Sequence, residues 1–183
     1  MVQAFTILRK KYLCSAELYL AGAKESDIRD ALRERQIRVE EVDWQKIHLL
    51  GDLGSEKLTD YYNLCDVFCM PSHFEAYGLV FAEALTYGLP CIGRDKFAMS
   101  EFIEDGCTGR LISGEDAEEL ALDLWEVLQD PKYREEVERR REWYLREYSW
   151  DKVAQRICSV MEKNERDKDQ YRSAGAVSYT HLR

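Results

Sequence analysis

The chain has 183 residues, 45% of them apolar, which suits one domain with a buried core. A formal charge of −9 argues against a broad electrostatic attraction to nucleic acid or anionic lipid. The six cysteines lack the C-x-x-C pairing of zinc sites, and no apolar run approaches the roughly 18 residues of a membrane span. Most of the cysteines sit in apolar runs, as small core residues of a reducing compartment, so a cytoplasmic protein is expected.

The opening "MVQAFTILRKKY" has helical spacing through Val2, Phe5 and Leu8 but no start signal before it. "AELYLAG" reads as a strand ending at Gly22, and "ESDIRDALRER" as a helix capped by Ser26 with Ile28, Ala31 and Leu32 on one face. Next come a strand in "KIHLLGDL", a helix capped by Ser55 in "SEKLTDYYNLC", and a strand in "DVFCMPS". "LVFAEALTYG" is a helix ended by Gly88, with Pro90 just beyond it. "PCIGR" is a strand, "KFAMSEFIEDG" a short helix and "GRLIS" the last strand. Asp116 and Glu119 make a capping-box pattern for a helix through Gln129, whose buried face is Leu120, Leu124 and Leu128. Pro131 opens the next helix, and Ser149 caps a final one through about Lys163. In "ERRREWYLREY" acidic residues interleave with the arginines, as on a solvated helix face. Apolar strands alternating with helices give an α/β fold: a doubly wound parallel sheet with C-terminal helices.

Such folds bind ligands beyond the carboxyl ends of their strands. At one such end the stretch "CDVFCMPSHFEAYGLVFAEALTYGLPCIG" carries Glu75, Gly78 and Glu83. A helix starting near Leu79 points the amides of Gly78, Leu79 and Val80, with its positive end, into the loop, which suits a phosphate. Glu83, about one turn inside, can accept two hydroxyls of a ribose, and Glu75 can grip hydroxyls of a second ring. A nucleotide diphosphate-sugar meets all three demands. A first-turn glutamate is equally a structural feature favoured by the helix dipole, so spacing alone leaves both readings open. No G-x-G-x-x-G follows any expected strand, against a dehydrogenase-type site.

"MPSHFEAYGLVFAEALTYGLPCIG" closely resembles the E-x7-E segment of the retaining GT-B glycosyltransferases of family 4. "LLGDL", "LCDVFCMPS", "IEDGCTGRLI" and "YSWDKVAQRI" stand in the same order as in that family. The resemblance implies a nucleotide-sugar-binding domain over residues 1–165, the Rossmann-like C-terminal half of a GT-B fold. It implies a catalytic contact of Glu75 with the donor sugar, Glu83 on the ribose, and Gly78, Leu79 and Val80 amides on phosphate and sugar. Leu53 would border the base. Transfer would proceed with retention and without a metal or other cofactor, charge on the leaving diphosphate being stabilised electrostatically.

The family's domain opens with one more strand, followed by an arginine and a lysine that clamp the diphosphate. By resemblance this chain lacks that strand and the N-terminal domain holding the acceptor site, and is not expected to turn over alone. "IGRDK" imitates the clamp at the wrong spacing, so Arg94 is read as a decoy. Asp167–Asp169 imitates a metal-binding D-x-D but belongs to a charged tail. Phe97 and Ala98 stand where the family often has two glycines. Residues 166–183 are expected to be a disordered tail, and "VSYTHLR" (177–183) resembles a translated library adapter. His73 is either a pocket residue or a plain loop histidine, Asp66 serves a turn, and His48 carries no evident chemistry. Two rivals remain: a non-catalytic nucleotide-sugar-binding or interaction module, and a signalling domain, which would need an acidic phosphoacceptor cluster that is not visible.

Overall fold

The computed structural model describes residues 1–173, with side chains to residue 164; the segment 177–183 lies outside the described residues. Two compact units divide the chain, Met1–Glu142 and Trp143–Arg183.

The first unit alternates helices and strands: α1 (Val2–Lys11), β1 (Leu18–Ala21), α2 (Glu25–Glu34), two 3-10 turns (Val39–Glu41 and Trp44–Lys46), β2 (Ile47–Gly51), α3 (Ser55–Leu64), β3 (Phe68–Cys69), α4 (Leu79–Thr86), β4 (Cys91–Arg94), α5 (Met99–Phe102), β5 (Gly109–Ile112) and α6 (Ala117–Gln129). Then α7 (Lys132–Glu147) leads to α8 (Trp150–Ser173) of the second unit. The order matches the sequence reading, but α8 runs past Lys163 to Ser173, so Asp167–Asp169 lie on a helix. Their side chains are outside the described residues.

All strand pairs are parallel, yet they form two sheets: β1-β2, and β3-β4-β5. β4 is bonded on both sides and wholly buried; β1 and β3 each pair on one side only and stay half-exposed despite Leu18, Leu20 and Phe68. Between them runs a groove of about 1130 Å³, lined by Leu18, Leu20, Phe68 and Cys69 and reached by Met1. The single doubly wound sheet expected from sequence is therefore parallel throughout but interrupted at this groove. One core underlies both sheets, because α1 packs along α6 and brings Val2, Phe5 and Leu8 to Leu120, Ala121 and Leu124. Every one of those side chains is removed from water, the main favourable term in folding.

Helix ends partly follow the expected chemistry. Asp116 caps α6, its Oδ1 accepting from the Glu118 N–H at 2.9 Å. Ser149 accepts from the Lys152 N–H at 3.2 Å and caps α8. Ser26 and Ser55 cap nothing. The last extended residues are Lys24 and Gly54, so both serines already lie in the first turn, and Ser26 bonds Asp27 instead.

Behind the core, Arg110 of β5 pairs with the buried Asp123 of α6 at 3.2 Å. Burial outweighs that pairing and raises the Asp123 carboxyl to about 6. The fold thus holds a proton that the unfolded chain releases nearer the ordinary value. Stability is full below about pH 4 for this group and declines as pH rises through about 6. Melting curves across this window should show the decline, and Asp123→Asn should flatten it; an unchanged slope would contradict this assignment.

Candidate functional site

The loop after β3 runs from residue 70 to Gly78, which takes a left-handed conformation with φ 74°. A Cβ there would press on Phe81 Cδ2 at 3.1 Å and Glu75 Cγ at 3.3 Å, and the left-handed conformation itself favours glycine. Gly78 is the N-cap of α4, and Glu75 Oε1 accepts from its N–H at 3.0 Å. No hydrogen bond among the described residues uses the Leu79 or Val80 N–H. The turn therefore presents one carboxylate beside two free amides at the positive end of a helix.

α4 is anchored by Phe81, Ala82, Ala84 and Leu85, all buried, with the Phe81 ring edge-on to Phe68 at 5.3 Å. Glu83 projects from the exposed side of this fixed helix, one turn from Leu79. Its Oε2 accepts from the hydroxyl of Tyr62 on α3 at 3.2 Å. Tyr62 is buried and stacked on Tyr87, ring centroids 5.2 Å apart, and Tyr87 in turn shares a hydrogen bond with Thr59. Burial first, then the Glu83 charge, pushes the Tyr62 phenol well above its usual range, so it remains a neutral donor. Leu53 is half-buried in the loop between β2 and α3.

Glu75 and Gly78 are thus in contact, Glu83 lies one turn along the same helix, and Leu53 stands just before the helix that carries Tyr62. Neither carboxylate lines the groove between β1 and β3, but their neighbours His73 and Val80 do. Tyr62 escaped sequence reasoning; its only signal was an aromatic pair in "TDYYNLC". Arg94 donates to the carbonyls of Pro71 and Gly114. His73 pairs with Glu115, and Asp66 with Arg134, each at 3.2 Å. His48 stacks on Tyr19 and contacts Glu17 at 3.0 Å. All six cysteines are free; Cys91 is buried, whereas Cys14 and Cys158 are exposed rather than core residues.

Among the described residues no cluster of three or more His, Cys, Asp or Glu side chains is disposed to hold a metal, and no helix is long and apolar enough to cross a membrane. The side chains that remain are acceptors for hydroxyls, set beside amide donors for an anion.

Comparison with known proteins identifies this turn's setting. The family model for glycosyl transferases group 1 matches residues 1–143. A D-inositol 3-phosphate glycosyltransferase of Thermomonospora curvata is 31% identical over 103 residues, 56% of this chain and 24% of its own. The pneumococcal O-GlcNAc transferase GtfA, solved with UDP and GlcNAc, is 25% identical with a TM-score of 0.66, over 87% of this chain and 32% of its own. Anabaena Alr3699/HepE, solved with UDP and glucose, shares the fold at 18% identity and TM-score 0.71, over 88% of this chain and 44% of its own. The chain spans about a quarter of the length of the curated relatives it matches first. A match extending over three-quarters of the sequence, together with GT-B neighbours in structure, makes this chain a member of the glycosyl transferases group 1 family.

Proposed function

We propose that this chain is the nucleotide-sugar-binding part of a longer glycosyltransferase that transfers a sugar from a nucleotide diphosphate-sugar with retention at the anomeric carbon. The observation that carries the reading is the Glu75–Gly78 turn, with two unbonded amides at the start of α4 and Glu83 one turn further on. In this reading the Leu79 and Val80 amides receive the diphosphate. Gly78 joins them only if Glu75 releases its N–H. Glu83, oriented by Tyr62, takes the ribose, Leu53 borders the base, and Glu75 takes the donor sugar. Amides and helix dipole stabilise charge on the leaving diphosphate, which accepts the proton of the attacking hydroxyl. No resident metal or cofactor enters the scheme.

The groove supports the same reading. A parallel strand fills roughly 160 Å³ per residue, from spacings of about 4.8 and 10 Å and a rise of 3.3 Å. The groove, about 1130 Å³ and open on one side, is large enough to take an extended segment. A strand there, leading into α1, would join both sheets and put the switch in strand order beside the Glu75 loop, where α/β sheets bind ligands. We assign it, together with an acceptor domain, to the longer protein.

Each carboxylate already holds one internal bond, and this favours the competing reading in which both are structural. The test uses the longer protein and UDP, the nucleotide bound in GtfA. Tyr62→Phe removes the hydroxyl that orients Glu83, and UDP affinity should fall about threefold to tenfold in calorimetric titration. An unchanged affinity would detach Glu83 from the nucleotide.

A further inference from the structure

Arg94, the last residue of β4, is only 6% exposed, and no ion pair to it is present among the described residues. A buried guanidinium is costly, so its bonds must matter locally. Its Nε donates to the Pro71 carbonyl at 3.1 Å and its Nη1 to the Gly114 carbonyl at 2.9 Å. Pro71 follows β3 and Gly114 follows β5, the two strands that flank β4. One planar fork thus spans the carboxyl ends of three neighbouring strands at fixed separation. A second tie joins the same two loops one to two residues further on, where His73 Nδ1 meets Glu115 Oε1 at 3.2 Å. Glu75 comes two residues after His73 and is itself fastened to Gly78.

We propose that Arg94, assisted by the His73–Glu115 pair, is a positioning residue for Glu75. It holds the loop after β3 against the loop after β5, so that the Glu75 carboxylate is presented at a fixed place over the start of α4. Arg94 touches no ligand in this account; it acts by fixing the backbone from which Glu75 projects. The idea rests on the assignment of Glu75 to the donor sugar.

The test is calorimetric titration of the longer protein with UDP and with UDP-GlcNAc. In the parent protein Glu75→Ala should reduce the affinity for UDP-GlcNAc without weakening that for UDP, because it frees the Gly78 N–H. Arg94→Gln should reproduce that split, with about tenfold weaker UDP-GlcNAc binding, and Arg94→Lys should restore part of it. Glu115→Gln, in an exposed pair that cannot unfold the domain, should cost about twofold to threefold on UDP-GlcNAc alone. A purely structural Arg94 would lower both affinities together, and that result overturns the proposal. So does UDP-GlcNAc binding that neither Arg94→Gln nor Glu115→Gln changes. If Arg94→Gln does not fold, Glu115→Gln decides alone. No effect of Glu75→Ala would overturn the sugar assignment itself, and the positioning role with it.

Discussion

Expressed by itself, the 183-residue chain is expected to bind an apolar dye strongly and to exchange the groove-side amides of β1 and β3 almost unprotected. Both strands are paired on one side only, and apolar side chains line the groove between them. β4, paired on both sides and buried, exchanges only through global opening. Edge amides open at nearly no cost, whereas global opening of a domain costs about 5–15 kcal/mol, so the two classes should differ by more than about a thousandfold in rate. Exposed edges and apolar surface also favour self-association, so the chain should sediment in a concentration-dependent way. In a longer protein that supplies the proposed strand, dye binding should be suppressed and β1 and β3 should reach the protection of β4. A monodisperse, cooperatively melting chain with equal protection in all five strands would contradict the assignment of a strand to this groove.

Much of this architecture was legible because local signals agreed with one another. The apolar run ending at Cys69, the glycine at 78 and the amphipathic run after it specify strand, turn and helix, and the structure places them so. Asp116 was readable as a cap because an acidic side chain stands just before an apolar-periodic helix. Ser26 and Ser55 misled for the same reason: a serine near a helix start is a weak positional signal, and the N-caps are Lys24 and Gly54, two residues and one residue earlier. Contacts that join distant segments were not readable at all. The Tyr62–Glu83 bond spans 21 residues and the Arg94–Pro71 bond 23, and each depends on side-chain direction that no periodicity encodes. Arg94 reads in sequence as an imitation of a clamp, and its bonds to the Pro71 and Gly114 carbonyls join loops that no local pattern connects. The division into two sheets likewise depends on which strands become neighbours, which periodicity within each strand does not determine.

Glu83→Ala is expected to weaken binding of a bare nucleoside diphosphate more than Glu75→Ala does. Glu83 stands on a rigid helix and is assigned to the ribose, which such a ligand has. Glu75 stands in the loop and is assigned to a sugar, which it lacks. A hydrogen bond to a charged group contributes roughly 1.5–3 kcal/mol, or about tenfold to a hundredfold in affinity. With UDP, Glu83→Ala should therefore lose about that factor while Glu75→Ala does not weaken binding. With UDP-GlcNAc both should lose affinity. Glu83→Ala also leaves the Tyr62 hydroxyl without its partner, so a melting curve is needed to confirm that the variant remains folded.

The most direct measurement is this paired titration of the longer protein, with UDP and then UDP-GlcNAc, for the parent and the two alanine variants. The donor-site account predicts that Glu83→Ala weakens both ligands and Glu75→Ala weakens only the sugar-bearing one. Affinities unchanged in both variants, with both proteins folded, would show that the two carboxylates serve only to fasten α4 and its turn.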